Sequence, residues 1–471
     1  MPLKVRNMGE DQVSAPTTKR NRYEIDMCNG TIMDKLISFS IPLMLSGILQ
    51  LLFNAVDIIV VGRFTGSQAL AAVGSTTALI NVFTNLFIGV SLGANVLAAR
   101  FYASGHKKEM SETVHTSILF ALLSGIVMVF VGLFFSRAAL ELMDTPADVI
   151  DQSALYMQIY FAGMPFFMLY NYGAAILRAV GDTKRPLFFL VIAGVVNAGL
   201  NLFLVIVLHM GVAGVAIATV IAQMISCMLV LRCLYQSTGS YQLRFSRLTL
   251  KWTYLKQIFQ VGIPAGIQST VINFSNVLLQ SSVNSFGSVA MAGYTAANNI
   301  FGFLFAAVNS ITQACMSFTS QNYGVGKWKR MDRVLLNCML LTVIVSLVLG
   351  GGSYLFGPEL LRIYTSDEAV VQCGMEILLY TTVTYFMCGI MDLFPGALRG
   401  MGCSAIPMLL SVIGTVGTRV VWIFMVFPKH RSLDVLFISY PASWLVTIAL
   451  QVVCYYFVRK KVKSKFLEAR N

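Results

Sequence analysis

Long apolar stretches alternate with short polar segments along almost the whole chain. A helix needs roughly 20 apolar residues to cross the hydrocarbon core of a bilayer. Because backbone groups cannot stay unpaired in lipid, and the alternation typical of a barrel is absent, these stretches are predicted to be helices. The pattern therefore predicts an all-α integral membrane protein with twelve transmembrane helices, at about residues 36–62, 69–99, 114–136, 154–177, 186–208, 211–231, 258–282, 289–320, 334–356, 373–398, 406–428 and 433–458.

Composition supports a membrane location. Only 12% of the 471 residues are charged and 56% are hydrophobic, whereas soluble domains carry about 25% charged residues. A soluble enzyme, a disordered chain and a secreted disulfide scaffold are therefore excluded. The nine cysteines show no metal-ligand spacing, so we expect packing thiols and no metal site. Residues 1–32 show no signal peptide, so the first span is expected to direct insertion.

The basic residues predict an orientation. With the N-terminus inside, 28 of the 34 Lys and Arg residues lie on the cytoplasmic side and only five lie on the other. This distribution follows the positive-inside rule, and it places both termini in the cytoplasm. The net charge of +13 is thus explained by membrane orientation, and we expect no nucleic acid partner.

The two halves of the chain repeat each other. Residues 177–181 (LRAVG) match residues 398–402 (LRGMG), and Pro42 matches Pro264 at nearly the same offset. Six spans in each half give both halves the same orientation, with substrate expected near the midplane. We therefore predict two homologous six-helix bundles, with boundaries as follows: cytoplasmic tail 1–32, N-lobe 33–234, basic cytoplasmic linker 235–257, C-lobe 258–458 and basic cytoplasmic tail 459–471.

Three charged residues fall inside predicted spans: Asp57, Asp392 and Arg419. A charge at bilayer depth costs at least ~2.5–3.5 kcal/mol on insertion scales and indicates function by default. Asp57 has the best setting, because Gln50 and Asn54 share its helix face. A proton or a sodium ion could bind this carboxylate and leave during a cycle. Asp392 is a second coupling candidate, with a structural hydrogen bond or a pairing with Arg419 as alternatives.

Amides and hydroxyls form further stripes inside the spans. Asn197 and Asn201 stack at i, i+4, and Thr219 follows on the next span. Such amides either join helices or line a wet, ligand-filled cavity. Pro42 is expected to act as a hinge. Candidate cavity residues are Gln50, Phe53, Asn54, Asn171, Tyr172, Gln268, Asn273, Asn276 and Gln280; Phe53 and Tyr172, with Met164 and Phe167, alternatively serve as plain packing residues.

Catalytic and nucleotide-binding motifs are absent from the sequence. None of the four histidines lies beside a serine or an acid in a helical span, and no GxxxxGK[ST] motif is present to hold a phosphate. We therefore expect no enzymatic activity and no cofactor, with an ion gradient as the energy source. A passive channel is disfavoured, because nothing resembles a selectivity filter.

Several motifs together resemble the multidrug and toxic compound extrusion (MATE) family, to which a polysaccharide-export type of flippase is related. The resemblance spans about residues 33–458, and its motifs are residues 54–57 (NAVD), 69–73 (ALAAV), 177–183 (LRAVGDT), 398–402 (LRGMG) and 418–423 (TRVVWI). It implies an antiporter that exports cationic, amphipathic drugs in exchange for protons or sodium ions. Asp57 then matches the family's first-helix acid, and Asn197 and Thr219 match the polar cluster around it.

This chain departs from the family pattern at two places. Asn201 stands where many members carry a second Asp, and the seventh span lacks the Glu of the sodium-coupled branch. The coupling ion therefore stays open between H⁺ and Na⁺. We expect ion coupling at Asp57, Asn197, Asn201 and Thr219, and a monomer in a prokaryotic cell membrane that binds small organic cations. The alternative is a flippase or exporter of a lipid-linked or other endogenous metabolite.

Overall fold

Helices make up nearly all of the chain that the structure, a computed structural model, describes. It covers residues 22–143 and 145–468, without the side chains of residues 67 and 78. No strand occurs within these ranges, so the predicted all-α class is confirmed. Most of the predicted tail 1–32 and the end of the tail 459–471 lie outside the described residues.

The first half of the chain supplies seven α-helices. They are α1 (Met33–Phe64), α2 (Ser67–Ala103), α3 (Lys107–Leu142), α4 (Ile150–Ala162), α5 (Met164–Ala179), α6 (Lys184–Leu202) and α7 (Gly211–Gln236). A π-helical segment, Phe203–Val207, extends α6. A single 3-10 turn, Phe245–Arg247, leads to the second half.

The second half repeats this order with more interruptions. Its helices are α8 (Trp252–Asn284), α9 (Ser288–Gly324), α10 (Trp328–Leu355), α11 (Gly357–Arg362), α12 (Glu368–Thr382), α13 (Tyr385–Gly400), α14 (Ala405–Ser411), α15 (Thr418–Val421) and α16 (Leu433–Glu468). Two π-helical segments, Val412–Gly417 and Trp422–Val426, flank α15. Segments of this kind occur often at functional sites.

The number of spans differs from the predicted twelve. By length and composition, nine described helices can cross a membrane, and the pair α12–α13, bent by 40°, makes a tenth. The other two predicted spans are helical but fall short. The span 154–177 is divided at Gly163 into helices of 13 and 16 residues, and the span 258–282 carries many amides and hydroxyls.

The chain divides into two compact units that exchange helix ends. The N-terminal unit contains residues 22–25 and 45–263, and the C-terminal unit contains residues 26–44 and 264–468. The first part of α1 thus belongs to the C-terminal unit, and the first part of α8 belongs to the N-terminal unit. The predicted N-lobe 33–234 contains all of α1, and the predicted boundary at 257/258 divides α8 between linker and C-lobe. Neither boundary matches the units, because sequence does not reveal which neighbours each helix end contacts.

Close contacts within each unit explain this exchange. On α1, the ring of Phe39 meets Phe318 edge-on at a centroid distance of 5.7 Å in the C-terminal unit. On α8, the ring of Phe259 meets Phe120 at 5.1 Å in the N-terminal unit. A Cβ at Gly93 would lie 2.2 Å from the backbone oxygen of Ile258, so only glycine permits this approach. The boundary between the two units lies near Pro42 within α1 and at Pro264 within α8.

Glycine also permits close helix packing inside the C-terminal unit. A Cβ at Gly350 would lie 2.3 Å from the backbone oxygen of Thr382, whereas nothing lies within 4 Å of one at Gly351. Small residues at helix interfaces allow such backbone approach in membranes.

We expect Gly350→Ala to destabilise the protein by about 1–3 kcal/mol, the usual cost of overpacking. The measurement is thermal unfolding of the purified protein in nanodiscs. Gly351→Ala, one residue away on the same helix, is the matched control and should unfold at the wild-type temperature. Equal behaviour of the two variants would contradict the packing argument.

Candidate functional site

Asp57 lies in a polar cluster formed by α1, α6 and α7 in the N-terminal unit. Asn201 Nδ2 donates a hydrogen bond to Asp57 Oδ1, and the Thr219 hydroxyl lies 3.4 Å from Asp57 Oδ2. Asn201 Nδ2 also donates to Asn197 Oδ1 at 3.2 Å, and Asn197 Nδ2 donates to Thr219 Oγ1 at 3.3 Å. We call these four residues the Asp57 cluster. The structure thus brings together all four predicted ion-coupling residues.

Local helix geometry explains how the cluster forms. Asn197 and Asn201 are one helical turn apart on α6, so both amides point from the same face. The π-helical segment begins two residues after Asn201. Asn201 is fully buried, and Asn197 and Asp57 keep only 5% and 9% of their surface exposed. The cluster is therefore positioned by regular helices and not by loops.

The charge of Asp57 has no basic partner among the described residues. Only neutral donors reach its carboxylate, and the Thr219 hydroxyl has a single hydrogen, which it can give either to Asp57 or to the Val215 carbonyl at 3.0 Å. A buried carboxylate without a cationic partner is costly. A proton or a small cation bound at Asp57 would remove this cost.

One acceptor beside Asp57 is left unsatisfied. The buried Oδ1 atom of Asn201 has no hydrogen-bond partner in the described chain. Buried polar atoms are almost always paired, so an orphan acceptor needs an explanation. A protonated carboxyl could donate to an amide oxygen, and a cation could be held by the oxygens of Asp57, Asn197, Asn201 and Thr219. The cluster is chemically suited to either ion.

The predicted cavity residues on α1 differ in their surroundings. The side chains of Gln50 and Asn54 are exposed, whereas that of Phe53 is half-buried. The Phe53 ring packs directly on Gly194 of α6, where a Cβ would fall 1.7 Å from the ring atom Cζ. Phe53 therefore has a packing role next to the Asp57 cluster.

The candidates on α5 are also separated by burial. Asn171 is half-buried, and its amide donates to the Phe167 carbonyl at 2.8 Å within its own helix. Tyr172 is fully buried in the hydrophobic core of the N-terminal unit, 6.0 Å from the ring of Phe120. Tyr172 therefore has the surroundings of a packing residue, which was the alternative given for it, and its cavity role stays a prediction. Met164, the alternative packing residue, is likewise buried.

In the C-terminal unit, two predicted cavity amides hold arginines. Gln268 Oε1 accepts a hydrogen bond from Arg399 at 2.7 Å, and Asn276 Oδ1 accepts one from Arg419 at 2.9 Å. Asn273 is exposed and Gln280 is half-buried. These amides therefore do not form a single cluster in the way that the Asp57 cluster does.

Asp392 and Arg419 do not pair with each other in the described chain. Asp392 is half-buried on α13 and makes no hydrogen bond or ion pair there. Arg419 instead contacts Ser443 and the ring of Tyr440 in addition to Asn276. Sequence reasoning singled out Arg419 as a charge but missed Ser443 and Tyr440. A serine and a tyrosine on α16 are common in helices, and the sequence does not show that they contact Arg419.

Metal-binding groups are not concentrated in the described part of the protein. Within residues 22–143 and 145–468, no three His, Cys, Asp or Glu side chains lie close enough to hold a metal ion. No disulfide joins the cysteines at positions 28, 227, 233, 315, 338, 373, 388, 403 and 454 within the described residues, and most of them are buried.

Comparison with known proteins identifies the family. The sequence model of the MatE family matches residues 42–203 and again residues 264–425, together more than half of the chain. The chain belongs to the MatE family. The model matches once in each half of the chain, so the MatE repeat occurs twice, as the motif pairs predicted. With its apolar helices and bacterial relatives, this MatE protein is a multi-pass protein of a prokaryotic cell membrane.

The MatE chain is similar to two Bacillus subtilis (strain 168) proteins over most of its length. It is 29% identical to the probable multidrug resistance protein YoeA, covering 90% of this chain and 93% of that protein. It is 28% identical to the probable multidrug resistance protein YpnP, covering 82% and 87%.

A solved structure supports the fold of this MatE chain. It is an outward-facing multidrug resistance MATE family transporter of the MOP superfamily, with a TM-score of 0.85 and 18% identity, covering 95% of this chain and 99% of that one. At this identity the likeness establishes the two-lobed MatE fold alone.

We expect Asn201→Leu to destabilise the protein by roughly 1.5–3 kcal/mol, because the buried Asp57 carboxylate loses a charge-assisted donor. The cost should be smaller when Asp57 is also changed to Asn, since the charge is then absent and the two sites are coupled. Thermal unfolding in nanodiscs measures both effects. Asn54→Leu, at an exposed position on α1, is the control, and an equal cost of Asn201→Leu in both backgrounds would rule out the coupling.

Proposed function

We propose that this protein is a secondary active multidrug efflux antiporter that exports cationic, amphipathic compounds in exchange for H⁺ or Na⁺. Family membership and the names of the relatives support multidrug efflux. The Asp57 cluster is the observation that carries the coupling step, because it combines a buried, uncompensated carboxylate with an unsatisfied acceptor.

The coupling ion binds at Asp57 in this proposal. Without an ion, the carboxylate relies on the neutral donors Asn201 and Thr219. A bound proton gives the carboxyl group a hydrogen that the orphan Asn201 Oδ1 can accept after the amide reorients. A bound Na⁺ would be coordinated by the same oxygen atoms. In either case the ion removes the charge and satisfies the acceptor in one step.

Exchange follows if ion and drug compete for the same negative charge. An ion that neutralises Asp57 weakens the attraction for an organic cation, and by linkage the drug weakens ion binding to the same extent. The outward-facing protein takes up the ion and releases the drug outside. The carrier, without drug but with the ion bound, then turns inward and releases the ion to the cytoplasm. Rearrangement of α1, which contains Pro42, accompanies the ion step.

The negative charge of Asp57 attracts organic cations of different shapes. Aromatic faces add attraction through cation–π contacts of about 0.5–2 kcal/mol, and methionine adapts to ligands of different outline.

We expect Asp57→Asn to abolish gradient-driven efflux of ethidium from proteoliposomes, because the amide cannot bind or release the ion. The assay applies a proton gradient and a sodium gradient separately, and the gradient that drives wild-type efflux identifies the ion. Asp57→Glu should retain part of the activity, since it keeps the carboxylate. Asp148→Asn, which changes an exposed acid, is the matched control and should behave as wild type.

Two results would count against this proposal. Unchanged efflux in Asp57→Asn would move coupling away from the Asp57 cluster and make Asp392 the next site to test. Absence of ethidium efflux by well-folded wild type under either gradient would favour the flippase or metabolite exporter instead.

A further inference from the structure

The segment that joins the two repeats is basic and contains no acid. Between residues 232 and 256 no Asp or Glu occurs. The basic side chains of this segment, all exposed, are those of Arg232, Arg244, Arg247, Lys251 and Lys256. Among the described residues, only Lys251 of this set forms an ion pair, with Glu112 of α3. The other positive charges have no acidic partner in that part of the chain.

Two hydrogen bonds hold both ends of a compact loop, residues 244–251, against α3. The backbone N–H of Arg244 donates to His115 Nε2 at 3.1 Å. The backbone N–H of Lys251 donates to Thr116 Oγ1 at 3.3 Å. Because His115 and Thr116 are neighbours, the two ends of the loop lie close together, as in an Ω-loop. We call residues 244–251 the linker loop, and its side chains are displayed from an anchored backbone.

Helix length places the linker loop at the membrane surface. α3 has 36 residues, a length of about 54 Å, whereas the hydrocarbon core of a bilayer is about 30 Å thick. A centred α3 therefore extends about 12 Å beyond the core at each end. His115 lies eight residues, or about 12 Å, after Lys107, the first residue of α3. The loop anchored there is thus level with the edge of the hydrocarbon core.

Three aromatic side chains on the linker loop and on the adjoining helix ends are exposed. Tyr235 near the end of α7, Phe245 on the loop and Trp252 at the start of α8 are 53%, 54% and 66% exposed. The rings of Tyr235 and Phe245 stack with their centroids 5.9 Å apart. By contrast, Tyr241 and Leu243 of the same linker are 2% and 0% exposed. The linker therefore buries some of its apolar side chains and presents others, and exposed apolar groups that cluster mark interaction surfaces.

Each exposed aromatic residue has a basic residue beside it. On α7, Arg232 and Tyr235 are three residues apart, so they share a helix face. On α8, Trp252 and Lys256 are four residues apart and share a face in the same way. On the linker loop, the 3-10 turn Phe245–Arg247 contains both types. Aromatic rings favour the headgroup level of a bilayer, and basic segments beside a span attract anionic lipids.

We propose that the linker loop and the adjoining ends of α7 and α8 form a binding surface for anionic phospholipid headgroups. Phe245 and Trp252 lie at the headgroup level in this proposal, and Arg247 and Lys256 pair with the lipid phosphates. The first part of α8 belongs to the N-terminal unit, so a lipid bound here would hold that part at the membrane surface. The proposal concerns lipid binding and does not depend on ion coupling or cargo.

The test is quenching of Trp252 fluorescence by brominated lipids in phosphatidylcholine vesicles that contain the purified full-length protein. Brominated phosphatidylglycerol, which is anionic, is compared with brominated phosphatidylcholine, which is zwitterionic. The difference between wild type and Trp252→Phe gives the signal of Trp252 alone. We expect phosphatidylglycerol to bind at least about fivefold more tightly, the preference that one basic side chain gives near an anionic surface.

Removal of two unpaired charges should abolish most of this preference. In a variant with both Arg247→Gln and Lys256→Gln, the affinity for phosphatidylglycerol should come close to that for phosphatidylcholine. The matched control combines Lys329→Gln and Arg333→Gln, which remove the same charge from exposed positions on α10, and it should keep the wild-type preference. Added KCl should lower the preference of wild type through screening, which checks the role of charge without any substitution.

Three results would overturn the proposed surface. The first is equal quenching of Trp252 by the two lipids. The second is no quenching by either lipid, which would indicate that the surface faces water or another protein. The third is an equal loss of preference in the two double variants, which would reflect the overall charge of the protein and not the linker. Because the assay uses no gradient and no drug, failure of the proposed antiport would leave this result unchanged.

Discussion

The free-energy cost of burying a charge away from water is the physical constraint that shapes both units of this protein. In each unit one ionised side chain is surrounded by helices and is met only by neutral dipoles: Asp57 by an amide and a hydroxyl, Arg419 by an amide, a hydroxyl and an aromatic face. Neutral dipoles lower the cost of burying a charge but do not cancel it. The remaining cost can be removed only by a counter-charge or a change of protonation.

Duplication allowed these two charges to differ. The two MatE matches give the units equivalent helices, yet Leu279 occupies the position equivalent to Asp57, and Arg419 occupies the position equivalent to Asn197. At these positions the carboxylate is therefore present in one repeat only, and the guanidinium in the other only. With the two matches aligned from residues 42 and 264, the π-helical segment Trp422–Val426 overlaps the equivalent of Phe203–Val207 only in part, and Val412–Gly417 falls opposite a regular part of α6. The local backbone therefore differs between the repeats as well as the charges.

Much of the fold and part of the site could be predicted from the sequence. Continuous apolar stretches have few structural alternatives in lipid, and the i, i+4 spacing of Asn197 and Asn201 requires a shared helix face. That these residues lie around Asp57 was implied by the resemblance to the MATE family, because spacing on one helix does not show which other helix it meets. The division at Gly163 and the core position of Tyr172 could not be predicted, because hydropathy treats a broken and a continuous helix alike and an aromatic ring suits a core or a cavity equally.

Helix exchange between the units affects how the protein can be made. A ribosome completes α1 long before it synthesises residues 264–468. The contact between Phe39 and Phe318 can therefore form only late in synthesis. The N-terminal unit, in turn, is complete only when residues 252–263 have been added. Neither repeat contains all the residues of a finished unit. Each unit therefore reaches its full set of residues only when synthesis has passed beyond the first repeat.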